Sequence, residues 1–204
     1  MTFWYTINGI SGTPRQEIAG FVAAYFEKKG KQVQTISDPK GSIYGELANK
    51  IIVDYKVVVS AFTEALLYLT CSKEVFDKVD WENYVVSRGS FLETFGYRNQ
   101  LSDWILEDAK QIFFLFIKHI NNNYPILSIV LTENYATAAQ RAGEHFEYQG
   151  EKEKYIEDSN RFLRIKEHPI VQEVGMKLIN VEFNSRDPWQ VFKKEIEPML
   201  NNSD

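Results

Sequence analysis

The chain has 204 residues, 44% of them hydrophobic, and a formal net charge of −5, with a pI near 5.4. That length and apolar content can bury a substantial core, and they exclude a disordered, collagenous or coiled-coil chain. The acidic balance argues against general nucleic-acid or anionic-membrane binding. A single cysteine, Cys71, excludes an intramolecular disulfide and fits a reducing compartment, where it reads as a small buried side chain. No stretch reaches the ~18 apolar residues of a membrane span; the run "IFFLFI" stops at Lys118. The N-terminal "MTFWYTINGI" lacks the basic start of a secretory leader, so a soluble cytoplasmic protein is expected.

In chain order, residues 2–8 read as a buried strand and 15–29 as an amphipathic helix that ends at Lys28-Lys29-Gly30, cations followed by glycine. "KQVQTIS" (31–37) alternates like a second strand, "DPKGS" is a turn, and "IYGELANKIIVD" reads as helix. Residues 57–78 form a long, mostly apolar helical stretch, and "NYVVS" (83–87) is a third strand, followed by the loop "RGSFLETFGYRNQ". A second long helix is expected over about 99–121, ending at Asn121-Asn122-Asn123, and "ILSIVLT" (126–132) is a fourth buried strand. Residues 134–166 are polar and helical with a break near "YQG", and "KLINVEF" (177–183) is a fifth strand. Asp187 and Pro188 suit the N-cap and first position of a last helix. There is no internal repeat, low-complexity tract or linker, so residues 1–204 are expected to form one domain.

Strands alternating with helices imply βαβ units: an α/β chain with a five-stranded parallel sheet and helices on both faces, a three-layer arrangement. Ligands of such sheets bind beyond the carboxyl ends of the strands. The loops that begin at Asn8, Ser37, Ser87 and Thr132 are therefore the candidate site. The first of them, "NGISGTPRQE", places Gly9 and Gly12 between a strand and a helix, where phosphate-binding loops sit. The pattern G-x-x-x-x-G-K-[ST] is matched only in part, since the sequence reads Gly9-x-x-x-x-Pro14-Arg15-Gln16. On its own the segment fits a tight turn as well as an anion site.

The four loops taken together, in order and spacing, resemble the thymidylate kinases, a family of P-loop nucleoside monophosphate kinases. The likeness runs over nearly the whole chain. "NGISGTPRQEIAGFVAAYFEKKGKQV" is similar to the family's phosphate loop, first helix and second strand. "SDPKGSIYGELANKII" is similar to its arginine-acid-Pro-Gly-Gly segment and keeps Asp38, Pro39, Gly41, Gly45 and Glu46. "YVVSRGS" stands at the family's Asp-Arg-aromatic motif, and the segment of about 134–150, with "EHFE", is similar to its lid. The resemblance implies a P-loop NTPase-type fold. It also implies nucleotide or phosphate contacts from Gly9, Gly12, Thr13, Arg15, Asp38, Tyr68, Arg88 and Arg141, with a dTMP-like ligand.

Several positions depart from the family's pattern. Pro14 stands at the last glycine of the loop and brings no N–H. Arg15 keeps the charge of the lysine but not its shape. Gln16 replaces the hydroxyl that ligates magnesium, and Ser87 replaces the acid at the end of the third strand. The arginine that the family carries on the 57–78 helix falls at Cys71 or Ser72. Tyr68 lies near an aromatic that stacks on the base, although by itself it reads as core packing. The lid keeps Arg141 but is otherwise acid-rich, with His145 at an arginine-like place.

These departures make ATP-to-dTMP transfer expected to be lost or strongly weakened. Arg15 and Arg88 are the weak catalytic candidates, no resident metal is assigned, and ATP and magnesium enter only if activity is retained. A divergent active kinase, with Asp38 or Glu17 holding a relocated metal, is one alternative; an interaction protein that binds no nucleotide is the other. His119, His145 and His168 have no metal-ligand spacing among themselves or with Cys71, there is no G-x-S-x-G elbow, and taken singly Arg98 and Arg141 read as surface residues or partners for a nearby Glu. "QIFFLFIKHI" carries apolar residues around more of its helix than one core face needs. The family pairs through its long helices, so a homodimer is expected.

Overall fold

The computed structural model describes residues 4–38, 42–51, 61–93 and 105–201. Five strands form one sheet: β1 (Trp4–Gly9), β2 (Val33–Ser37), β3 (Tyr84–Arg88), β4 (Ile126–Thr132) and β5 (Lys177–Glu182). Their spatial order is β2-β3-β1-β4-β5, and every pairing is parallel. β1 and β4 are buried along their whole length. Their largely apolar character follows from that position, because a central parallel strand has no wet face.

The helices are α1 (Arg15–Lys28), α2 (Ile43–Asn49), α3 (Ala61–Asp77), α4 (Ile105–Asn123), α5 (Tyr135–Ala142), α6 (Lys152–Arg164) and α7 (Pro169–Val174). The chain closes with α8 (Pro188–Val191), a π-helical segment Phe192–Ile196 and α9 (Glu197–Asn201). Alternation along the strands divides the core between two faces. Tyr5, Ile7, Val86, Ile129 and Leu131 pack against Ile18, Val22 and Phe26 of α1 and against Phe192, Ile196 and Leu200. Trp4, Val85, Ile126 and Val130 face Leu69 and Phe76 of α3, Ile117 and Ile120 of α4, and Phe162 of α6. Helices on both faces of a parallel sheet make the expected three-layer α/β fold.

All five strands lie within two residues of their expected positions. α3 and α4 coincide with the two long helices over the described residues; the expected parts at 57–60 and 99–104 lie outside them. Asp187 caps α8 by accepting from the Gln190 N–H at 2.9 Å, with Pro188 at the first helical position. α7 adds a helix that the sequence reading lacks. Its signals are Pro169 at the start and Gly175 at the end, the latter in the left-handed conformation with φ 70°. Among the described residues no helix is long and apolar enough to cross a membrane.

Parallel pairing brings the carboxyl ends of the strands to one edge. Ile7 of β1 lies opposite Arg88, Gly9 opposite Leu131, and Arg88 opposite Ser37. Just beneath this edge a buried polar network joins β1, β4 and the turn after β3. Asn8 donates to Thr6 Oγ1 at 2.8 Å and accepts from Ser90 Oγ at 2.7 Å, and Thr6 Oγ1 also bonds Ser128 Oγ. Polar side chains at such depth need partners, and these supply one another.

Candidate functional site

The loop from β1 to α1 is held by close packing on both sides. Gly12 adopts φ +83°, and a Cβ there would stand 2.4 Å from the Ala138 carbonyl oxygen of α5. Only glycine meets both conditions. Thr13 folds back on the loop, its Oγ1 donating to the Ile10 carbonyl at 2.7 Å and its N–H to the same oxygen at 3.1 Å. Pro14 then enters α1 without a side-chain cap.

The three arginines singled out in the sequence reach this edge, and all three contact protein groups. Arg15 Nη1 lies 2.5 Å from Glu93 Oε1, and the same oxygen accepts from the Gly9 N–H at 3.3 Å. Arg88 donates to Gln16 Oε1 at 3.0 Å and to Ser37 Oγ at 3.1 Å. Arg141 Nη1 donates to the Gly12 carbonyl at 2.9 Å and pairs with Glu133 Oε2 at 3.3 Å. Glu133 is fully buried, and its other oxygen accepts from the Asn134 and Ser185 N–H groups, both at 2.8 Å.

Asp38 follows β2 and is buried. Ser72 Oγ stands within 3.0 Å of Oδ1 and 2.7 Å of Oδ2. Burial pushes the Asp38 carboxyl up to about 7; the Ser72 hydrogen bond pulls it down and the neighbouring Glu93 charge raises it further. Glu93 is raised as well, first by burial, while the Arg15 charge, the Arg15 hydrogen bond and the Gly9 N–H pull it down.

Of the two positions left open on α3, Ser72 faces the site. Cys71 is buried, with Sγ toward the Leu67 carbonyl at 2.9 Å, and burial pushes its thiol up to about 11. Tyr68 is half-buried and lies one turn before Ser72, on the same face of α3. Ser87 is buried and donates to the Gly89 carbonyl, whereas Glu17 and His145 are exposed. Arg98, Pro39 and Gly41 lie outside the described residues.

Gly9, Gly12, Thr13, Arg15, Asp38, Arg88 and Arg141 thus gather around one edge of the sheet, with Tyr68 one helical turn from Ser72. Three participants escape the sequence reading: Glu93, Glu133 and Ser72. Ser72 is there only a possible alignment partner, and its role as a hydrogen-bond donor to Asp38 has no local signal. Glu93 lies inside a segment that reads simply as loop.

No family model matches the chain. A thymidylate kinase from Thermosipho africanus is 30% identical over 71 residues, 35% of each chain, and one from Nitrosospira multiformis is 31% identical over 74 residues, 36% of each. The alignments span about a third of the length of these curated relatives. The solved thymidylate kinase of Candida albicans superimposes with a TM-score of 0.68 at 14% identity, over 99% of this chain and 92% of that one. The chain has the fold of the thymidylate kinases. The Ehrlichia chaffeensis enzyme gives a TM-score of 0.67 at 14% identity, over 98% of both chains, so the fold extends well beyond the segment matched in sequence.

The resemblance read from the sequence implies ATP and magnesium, and Gln16 and Ser87, which stand where it implies metal ligands, do not fit that metal. The Gln16 side-chain oxygen accepts from the Arg88 guanidinium at 3.0 Å, so a cation already occupies its approach. The Ser87 hydroxyl is turned to a backbone carbonyl. Among the described residues no three His, Cys, Asp or Glu side chains gather as a metal-binding group.

Proposed function

We propose that this thymidylate-kinase-like protein binds a nucleotide or a phosphate-bearing relative of one at the sheet edge, with ATP-to-dTMP phosphoryl transfer lost or strongly weakened. The observation that carries the reading is that the site's own cations are already engaged: Arg15 is neutralised by Glu93, and Arg88 is held in hydrogen bonds to Gln16 and Ser37. Phosphoryl transfer depends on positioning and on cations aimed at developing negative charge. A loss of ~3 kcal/mol at each of two such positions slows the reaction on the order of 10⁴-fold. The contacting set is Gly9, Gly12, Thr13, Arg15, Asp38, Tyr68, Arg88 and Arg141, and residues 134–150 act as the lid of a single domain. We further assign a homodimer through α4, supported by its exposed Ile112 and Leu115.

One observation favours an active, divergent kinase as the second reading. Asp38 and Glu93 are two buried carboxylates, the second close enough that its charge raises the first, and paired acids are the usual material of a relocated metal site. Calorimetric titration with dTMP, and with ATP in the presence and absence of magnesium, separates the two. Binding of dTMP without magnesium-dependent ATP binding supports the primary reading. Magnesium-dependent ATP binding with turnover in a coupled assay overturns it.

A further inference from the structure

The β1–α1 loop already holds a carboxyl group of the same chain. Glu93 Oε1 lies against the Arg15 guanidinium at 2.5 Å and accepts from the Gly9 N–H at 3.3 Å, beside the N-terminus of the 14-residue helix α1. An N–H of the loop, the cation at the lysine position and the positive end of a helix are the features that attract phosphate. Here they are presented to a carboxylate of the same chain.

The turn after β3 is built to deliver that carboxylate. Gly89 turns the chain at φ +84°, pressed so closely on the Asp38 carbonyl that a Cβ would stand 2.4 Å from it. The Gly89 N–H is held by the Ile7 carbonyl at 2.8 Å, and the Glu93 N–H by the Ser90 carbonyl at 3.0 Å. Ser90 is anchored in turn on Asn8 of β1 at 2.7 Å. These contacts together fix the base from which Glu93 reaches the loop. The position is electrostatically expensive, since a carboxylate that is only 15% exposed is set near Asp38 with one guanidinium in contact. A neutral side chain would fill the same space without that cost.

We propose that Glu93 is a built-in occupant of the phosphate loop, a carboxylate standing where a phosphate group of a nucleoside di- or triphosphate would bind, so that the loop accepts external phosphate only when Glu93 leaves. This rests on the reading of the loop as an anion site. The ligand class it excludes is a di- or polyphosphate; a monophosphate held at Arg88 is unaffected by it. The contact is autoinhibitory: it lowers the loop's affinity for phosphates without removing the groups that bind them.

The test is calorimetric titration of magnesium-free pyrophosphate into the wild-type protein and into Glu93→Gln, with dTMP titrated separately into the wild type. Glutamine keeps the shape and an acceptor for Gly9 but removes the charge. Glu93→Gln should bind pyrophosphate at least about tenfold more tightly, because like charges in contact across a binding site oppose association strongly. Equal or weaker binding, or none in either protein, overturns the proposal. The dTMP titration reads the wider function separately: dTMP binding without a gain in Glu93→Gln sinks the occupant alone, and a gain without dTMP binding sinks the acceptor reading alone. Should the variant fail to fold, the ¹³C resonance of the Glu93 carboxyl in the wild type serves instead. Its movement at millimolar pyrophosphate is expected, and an unmoved resonance counts against the proposal.

Discussion

Replacing Asp38 by asparagine should make the stability of the protein less dependent on pH, and by an amount that can be worked out. The Asp38 carboxyl is raised from 3.8 to about 7, chiefly by burial. The folded state therefore binds this proton more tightly than the unfolded chain does. Its contribution is favourable below pH 3.8 and is lost as pH rises through 7. Each tenfold difference in proton affinity between the folded and unfolded chain is worth roughly 1.4 kcal/mol, so the ionisation penalty is about 1 kcal/mol at pH 4.5 and about 4 kcal/mol at pH 8. Asparagine carries none of it. The pH-dependent part of the Ser72 hydrogen bond is already contained in the raised value, and the remainder cancels in the difference. Urea unfolding of wild type and Asp38→Asn at the two pH values should thus give stability differences that change by about 3 kcal/mol in favour of the variant at the higher pH. Glu93, also raised by burial, remains in both proteins. If the stability difference is the same at both pH values, Asp38 is not held protonated by burial and the electrostatic account of this edge is wrong.

Three other substitutions probe separate parts of the structure. Gly12→Ala forces a Cβ into the Ala138 carbonyl at φ +83°; it should cost about 2–4 kcal/mol and lower the melting temperature by several degrees, and an unchanged melt would mean the loop lies differently. Glu133→Ala strips the Asn134 and Ser185 N–H groups and Arg141 of their shared acceptor. A loss of about 2–4 kcal/mol in chemical denaturation is expected, and less than about 1 kcal/mol would show that water replaces the carboxylate. Leu115→Glu places a charge at a leucine that is 64% exposed on α4. Sedimentation should then show monomer where the wild type shows dimer; a dimer surviving the change would move the interface off this helix.

The sequence determined most of the architecture because its signals are local. Five apolar runs separated by helical stretches specify a parallel α/β sheet, and Asp187-Pro188 marks a helix start through one side-chain cap and one missing N–H. α7 escapes the sequence reading even though Pro169 and Gly175 announce it, because a helix of six residues carries too little periodicity to stand out. The candidate loops are readable too, since a parallel sheet puts all its carboxyl ends on one edge whatever the sequence between them. What the side chains do at that edge was decided by tertiary structure alone. Ser72 and Cys71 are neighbours in sequence, and only the rotation of α3 against β2 directs Ser72 to Asp38 and Cys71 into the core. The resemblance offers Arg15 as a phosphate contact, and only the fold brings Glu93, 78 positions along the chain, beside it. Charge neutralisation between distant residues has no period and no motif, because it depends on which strands are adjacent; here β1 and β3 pair directly, and that pairing sets the Glu93 carboxylate in the loop that the sequence offers to phosphate.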